Sequence, residues 1–319
     1  MASSTDAILV SVVIPTYNRA AKVVEAIESV RAQTHSRWEL IVVDDGSTDS
    51  TPEDLARSFG KDSRVKYARQ ANRGPSAARN HGIALAKGEV TAFLDSDDLY
   101  FPGFMAAHLS VYQDHPSADV VFSDLEKQSV GDLWPRFMER TLVFREVIAD
   151  LGPGDVLVLQ RDLMKQILLQ EIPIKMPGAT VRSKVFRSYG LFDEEIAVAE
   201  DWVFMLTRAD CLQFVYLNEV LGRIRISEDS LHLLLKEQDH LDMIDRLLDY
   251  STTLKSAPER RAARAGVIHL YKSLYWHYCR LGKPARAAEV LADGTRRTCS
   301  PGLLLRSLKA RLAAGFPAI

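Results

Sequence analysis

The chain is poor in cysteine, with three residues in 319, at positions 211, 279 and 299. Odd in number and far apart, they suggest neither a disulfide framework nor a zinc site, and a cytoplasmic, reducing compartment is expected. Net charge is also lacking: 40 Lys plus Arg against 42 Asp plus Glu leave −2. That balance argues against a nucleic-acid partner, so cations placed locally must meet any anionic ligand. No apolar run approaches the roughly 20 residues that span a bilayer. The opening "MASSTDAILVSVVIPTYNR" has no basic n-region, and Ser11 and Pro15 interrupt its apolar stretch. It reads as neither a signal peptide nor an anchor. The Gly-rich G-x-G-x-x-G and Walker patterns are absent too, which removes the commonest phosphate cradles.

What is present is an alternation. Over the first 125 residues short apolar runs ("ILVSVVIP", "ELIVV", "VKYAR", "EVTAFLD", "ADVVFSD") take turns with longer amphipathic ones ("AAKVVEAIESVRAQ", "STPEDLARSF", "SAARNHGIALAKG", "FMAAHLSVYQ"). Strand and helix periods in turn predict an α/β fold with a largely parallel sheet. Ser50 and Glu53, with Pro52 between them, predict a capping box at the start of the second helix. Three polar clusters, "PTYN", "DDGS" and "DSDD", then fall at the carboxyl ends of strands, where open α/β sheets carry their ligand crevice. From about residue 126 the pattern loosens, and after about 230 everything reads helical.

Asp95, Asp97 and Asp98 crowd one strand end, and like charge at that density calls for something positive among them. A divalent cation with oxygen ligands is one candidate. A helix N-cap at Ser96, Asp97 or Asp98, ahead of a helix starting near Pro102, is the other, although a cap uses one aspartate. Asp44 and Asp45 sit at a strand tip from which a carboxylate can accept from a base N–H or a ribose hydroxyl. Tyr17 reads either as a surface for a flat base or as a buried structural tyrosine. Arg73 and Arg79 flank a helix start after Gly74 and Pro75, suited to phosphate or simply solvated. Glu200 and Asp201 precede an apolar helix face and read as a cap or a general base.

Taken in order, "VSVVIPTYNR", "ELIVVDDGSTDST", "NRGPSAARNHG", "GEVTAFLDSDD" and "GLFDEEIAVAEDW" closely resemble the family 2 glycosyltransferases of GT-A fold, over roughly residues 10 to 225. The resemblance implies a Rossmann-like, mostly parallel mixed sheet flanked by helices, here spanning 8–229. The residue pattern itself makes 126–178 a connection that could hold an acceptor or act as a lid, and 230–319 a small C-terminal helical region outside the resemblance. The resemblance also implies inverting transfer of a sugar from a nucleoside diphosphate, UDP above all, to a hydroxyl of a glycan or lipid-linked saccharide, in bacterial polysaccharide biosynthesis. Carried over by position, Pro15, Thr16, Tyr17, Asp44, Asp45, Gly74, Arg79, Asp95 and Ser96 would bind the nucleotide-sugar. Asp97, with Asp98, would hold Mn or Mg. Asp201, beside Glu200, would be the catalytic base.

The pattern departs from the family at Ser227, where many relatives carry a histidine near the metal; His232 lies five residues on. The tail "LLLRSLKARLAAGF" sets Arg306, Lys309 and Arg311 among leucines, either a basic helix for peripheral contact with an anionic membrane or an ordinary packed helix. A homodimer is a further expectation. Two other functions fit the chain less well. Transfer to a polyprenyl phosphate would favour membrane helices, and a non-catalytic nucleotide-sugar-binding subunit would be expected to have lost the D-x-D or the "ED" carboxylates.

Overall fold

The computed structural model describes residues 7–129, 131–196, 198–226 and 237–313. In chain order the elements are β1 (Val10–Thr16), α1 (Ala20–Arg31), β2 (Trp38–Asp44), α2 (Thr51–Phe59), β3 (Val65–Arg69), α3 (Pro75–Leu85), β4 (Val90–Phe93), β5 (Leu99–Tyr100), α4 (Phe104–Asp114), β6 (Val120–Ser129) and β7 (Asp132–Trp134). There follow α5 (Phe144–Val147), β8 (Val156–Leu159), α6 (Arg161–Leu168), β9 (Ala179–Arg182), α7 (Lys184–Tyr189), α8 (Glu200–Thr207), β10 (Phe214–Arg225), α9 (Glu237–Thr253), α10 (Ala257–Arg280), α11 (Pro284–Thr298) and α12 (Pro301–Ala313).

The chain divides into two units, one made of Met1–Met164 and Ile172–Glu228, the other of Lys165–Glu171 and Asp229–Ile319. In the first, one sheet runs in the order β3-β2-β1-β4-β9-β6-β10-β5, with β7 on β6 and β8 on β10. Strands β3, β2, β1 and β4 are mutually parallel, as are β6 and β10. Strand β9 runs antiparallel between β4 and β6 and makes the sheet mixed. Every residue of β1 and β2 is buried, the expected state of parallel strands covered on both faces. Helix α1 contributes Val23, Ala26, Ile27 and Val30 to that cover, three and four residues apart on one stripe.

The stretch 126–178 is assembled from short elements. Arg136 Nε lies 3.1 Å from the buried carboxylate of Asp124, whose Oδ1 accepts from the backbone N–H groups of Leu125 and Met138 at 2.8 and 3.0 Å. These contacts fold the chain after β7 back onto β6.

The second unit holds α9 to α12 and the borrowed segment 165–171, which the sequence pattern does not announce. Lys165 Nζ pairs with Glu259 at 2.8 Å, and Gly266 meets Leu169 so closely that a Cβ there would stand 2.0 Å from its carbonyl oxygen. The capping box expected at Ser50 does not form. Ser50 Oγ donates to Asp54 at 2.9 Å, and Asp49 Oδ1 takes the Thr51 N–H at 3.0 Å. A complete box appears at Ser256 and Glu259 instead.

Candidate active site

Because β1, β2 and β4 are parallel neighbours, their carboxyl ends lie along one edge of the sheet. The loops after β1 and β2 are joined there. Asn18 N–H donates to Ser47 Oγ at 2.9 Å, Thr48 N–H to Asn18 Oδ1 at 2.7 Å, and Asp45 N–H to the Thr16 carbonyl at 2.9 Å. Asn18 sits at φ 51°, a left-handed conformation that asparagine tolerates better than most residues. Tyr17 is 46% exposed, so it is not a buried structural tyrosine. Thr16 is buried, and its Oγ1 has no hydrogen-bond partner among the described residues. Buried polar groups are normally satisfied, so this hydroxyl beside the exposed ring of Tyr17 departs from the usual pattern.

The two carboxylates at the tip of β2 have different surroundings. Asp44 is fully buried and accepts from Ser47 N–H at 2.7 Å and from the Tyr67 hydroxyl at 2.6 Å. Burial, reinforced by Asp44, holds that phenol protonated well above its ordinary range. Asp44 therefore shapes the turn. Asp45 accepts from Gln70 Nε2 and from the Arg73 and Gly74 N–H groups at 2.8, 2.9 and 2.8 Å, drawing residues 70–74 onto the same edge. Gly74, at φ +90° with nothing near its missing Cβ, has room for a side chain but not the conformation for one. Gly74→Ala is expected to cost about 1–3 kcal/mol through backbone strain alone, measurable as a shift in the urea midpoint.

Helix α3, which starts at Pro75, fixes the approach to α8. Asn80 Nδ2 donates to the Phe192 carbonyl at 2.9 Å and to Glu194 Oε1 at 3.0 Å, while its Oδ1 accepts from Phe192 N–H at 3.0 Å. Arg73 pairs with Glu194. The loop then enters α8 through Ala199 at φ 60°. Such a conformation costs an alanine roughly 1–2 kcal/mol, and it sets Glu200 and Asp201 at the helix start without either capping it. Asp201 Oδ1 accepts from Trp202 N–H at 2.7 Å, and the residue stays half-buried.

Arg79, expected at the nucleotide's phosphates, is buried between two acids. Its Nη2 donates to Asp95 Oδ1 at 2.7 Å and its Nη1 to Glu200. Burial alone would lower the guanidinium, but Asp95, Glu200 and Asp201 outweigh it and hold it firmly charged. Glu200 is pushed up by burial and by Asp201, against the pull of Arg79. Arg79 is thus a strut from the acidic turn to the start of α8.

In the acidic turn itself, the protein supplies much of the opposing charge. Arg19 pairs with Asp97 and Arg79 with Asp95. Arg225 donates its backbone N–H to Asp98 Oδ1 at 2.9 Å and its Nε to the Asp97 carbonyl. No aspartate is a helix cap, because β5 follows the turn and α4 begins after Gly103 with no side-chain cap. Asp98, expected beside the metal, is buried and ties β10 to the turn. Among the described residues no group of three or more His, Cys, Asp or Glu side chains could hold a metal ion unaided. The side chains of Asp95 and Asp97 are 36% and 15% exposed, hard oxygen donors that suit Mg or Mn completing its shell with phosphate and water. Burial, then Asp95 and Asp97, raise Asp98 well above its ordinary value, against the pull of Arg225. Ser227 and His232 lie outside the described residues, as do the side chains of Lys309 and Arg311. No described helix is long and apolar enough to cross a membrane.

Comparison with known proteins fits this geometry. The sequence profile described as glycosyl transferase family 2 matches residues 11–190. An uncharacterized glycosyltransferase of Rickettsia felis is 35% identical over 218 residues, 68% of this chain and 33% of its own length, so the chain spans about a third of that relative. Staphylococcus aureus TarS (residues 1–349, in complex with UDP-GlcNAc) superposes with a TM-score of 0.68 at 19% identity, covering 91% of this chain and 82% of the other. The mannosyltransferase PcManGT of Pyrobaculum calidifontis, in complex with GDP-Man and Mn2+, gives a TM-score of 0.60 at 18% identity, covering 96% and 80%. At those identities the two structures establish a shared GT-A fold.

Proposed function

Because the chain belongs to glycosyl transferase family 2, we propose that it moves a sugar from a nucleoside diphosphate donor, a UDP-sugar first, to an acceptor hydroxyl with inversion at the anomeric carbon. The observation that carries this reading is the strut. Arg79 joins Asp95, at the donor end of the sheet, to Glu200, next to Asp201. One buried guanidinium thereby fixes a base relative to a diphosphate site. Thr16, Tyr17 and Asp45 frame the nucleoside, with Pro15 rigidifying the strand end, Ser96 and Gly74 bringing backbone close, and Asp44 holding the turn.

Asp201 accepts the proton of the acceptor hydroxyl as that oxygen forms its bond to the anomeric carbon. The bond to the diphosphate oxygen breaks on the opposite face, and its electron pair leaves with the diphosphate. Asp97 with Asp95 would hold a divalent cation, which when bound supplies charge stabilisation for the leaving diphosphate. The carboxylate of Asp97 would exchange Arg19 for that ion. The UDP-GlcNAc bound to TarS and the GDP-Man and Mn2+ bound to PcManGT support a nucleotide-sugar donor and a metal here.

Calorimetric titration with UDP, GDP and dTDP, each with and without Mn, tests the donor side. One nucleotide is expected to bind at least about tenfold more tightly with Mn, and Asp97→Ala is expected to remove that difference. Binding that ignores both metal and substitution would withdraw the metal role from the acidic turn.

A further inference from the structure

Two half-buried lysines of this unit rest on aromatic rings and not on acids. Elsewhere in this unit Lys66 pairs with Glu39 at 2.5 Å and Lys184 with Asp119 at 3.0 Å. Lys127, on β6, and Lys175, just before the turn that leads into β9, make no ion pair among the described residues. They rest on aromatic rings instead: Lys127 Nζ is 4.8 Å from the centre of the Trp134 ring and Lys175 Nζ is 5.5 Å from that of Phe137. Arg140 adds a third cation, its Cζ 5.0 Å from the Trp134 ring. Both lysines are half-buried.

The electrostatics agree with that geometry. Burial lowers the Lys127 ammonium, and repulsion from Lys175 lowers it further. Burial lowers Lys175 too, opposed by Asp201 and Glu200, which places this ammonium within the field of the proposed base. Glu200 is already engaged by Arg79. Partly desolvated cations that repel one another are costly to keep without a counter-charge. An aromatic face returns only part of that cost.

We propose that Lys127 and Lys175 form an anion subsite on the acceptor side of Asp201, so that the attacking hydroxyl belongs to an acceptor bearing a phosphate or a carboxylate. This rests on the reading of Asp201 as the base. It adds the chemical class of the acceptor, which the donor motifs do not specify. Trp134 and Phe137 would lie against the apolar faces of the same acceptor, between the lysines that hold its charge.

Titration of the full chain with glycerol 3-phosphate, glucuronate and glycerol, with and without UDP and Mn, tests it by calorimetry. Glycerol 3-phosphate or glucuronate is expected to bind at least about tenfold more tightly than glycerol, and whichever binds identifies the anion. The bound nucleotide should remain in place. Lys127→Gln and Lys175→Gln should each weaken anion binding at least about fivefold, with UDP affinity kept as the sign of an intact fold. Equal affinity for glycerol, displacement of UDP by the anion, or unchanged binding in both folded variants would overturn the subsite. Since the wild-type arms need no variant, a substitution that fails to fold leaves the test standing. Loss of UDP binding in the wild type would count against the donor reading alone.

Discussion

Asp201→Asn is expected to lower kcat by about 10²–10⁴-fold while leaving the nucleotide dissociation constant within about twofold. The substitution keeps the shape of the side chain, and an amide oxygen can still accept the Trp202 N–H that Oδ1 accepts now. What it removes is basicity, needed only as the acceptor hydroxyl loses its proton. The loss should therefore appear in kcat, and in kcat/KM equally, without a compensating fall in KM. Steady-state kinetics at saturating donor, alongside UDP titration of the same preparation, separates the possibilities. A variant that loses UDP binding as well would make Asp201 a structural residue.

Arg79→Leu should have the largest effect on stability, about 3–5 kcal/mol, read as a fall in the denaturant midpoint at unchanged m-value. The arginine is buried, and both of its acid partners depend on it: Glu200 is buried and Asp95 already shares its turn with two other aspartates. Removing the guanidinium leaves one carboxylate uncompensated inside the protein and another in a crowded acidic turn. Arg79→Lys should recover only part of the loss, because one ammonium cannot present the two separate nitrogens that reach Asp95 and Glu200. A neutral outcome for Arg79→Leu would mean that both acids are protonated or solvated in the folded protein.

The gathering of the polar clusters at one end of the parallel strands was largely legible in the sequence. Parallel strands buried on both faces write themselves as continuous apolar runs, and the polar residues that end those runs sit where parallel neighbours bring them together. What was not legible depends on competition and on long separation. Ser50-Thr-Pro-Glu53 and Ser256-Ala-Pro-Glu259 carry the same cap signature, yet only the second forms the box. Around Ser50, Asp49 and Asp54 offer stronger local acceptors, and the serine backbone sits at ψ 10° instead of the extended value of 145° that Ser256 adopts. The partner of Asp98 is Arg225, 127 residues away, so no local pattern could connect them. Strand β9 enters the sheet antiparallel between β4 and β6 although its four residues, Ala-Thr-Val-Arg, are too few to show a period. Lys127 and Lys175 are single charges in a stretch of weak pattern, marked only by half-burial against Trp134 and Phe137.

The central claim is inverting transfer from a nucleotide-sugar. Its most direct measurement follows an α-linked donor, UDP-GlcNAc and GDP-Man in turn, with Mn and with water as the acceptor, using proton NMR fast enough to see the released sugar before it mutarotates. The expected result is slow release of one nucleoside diphosphate together with sugar that appears first as the β-anomer, both lost in Asp201→Asn. Sugar released first as the α-anomer would contradict inversion, and an Asp201→Asn variant that turns over as fast as the wild type would remove Asp201 from the reaction.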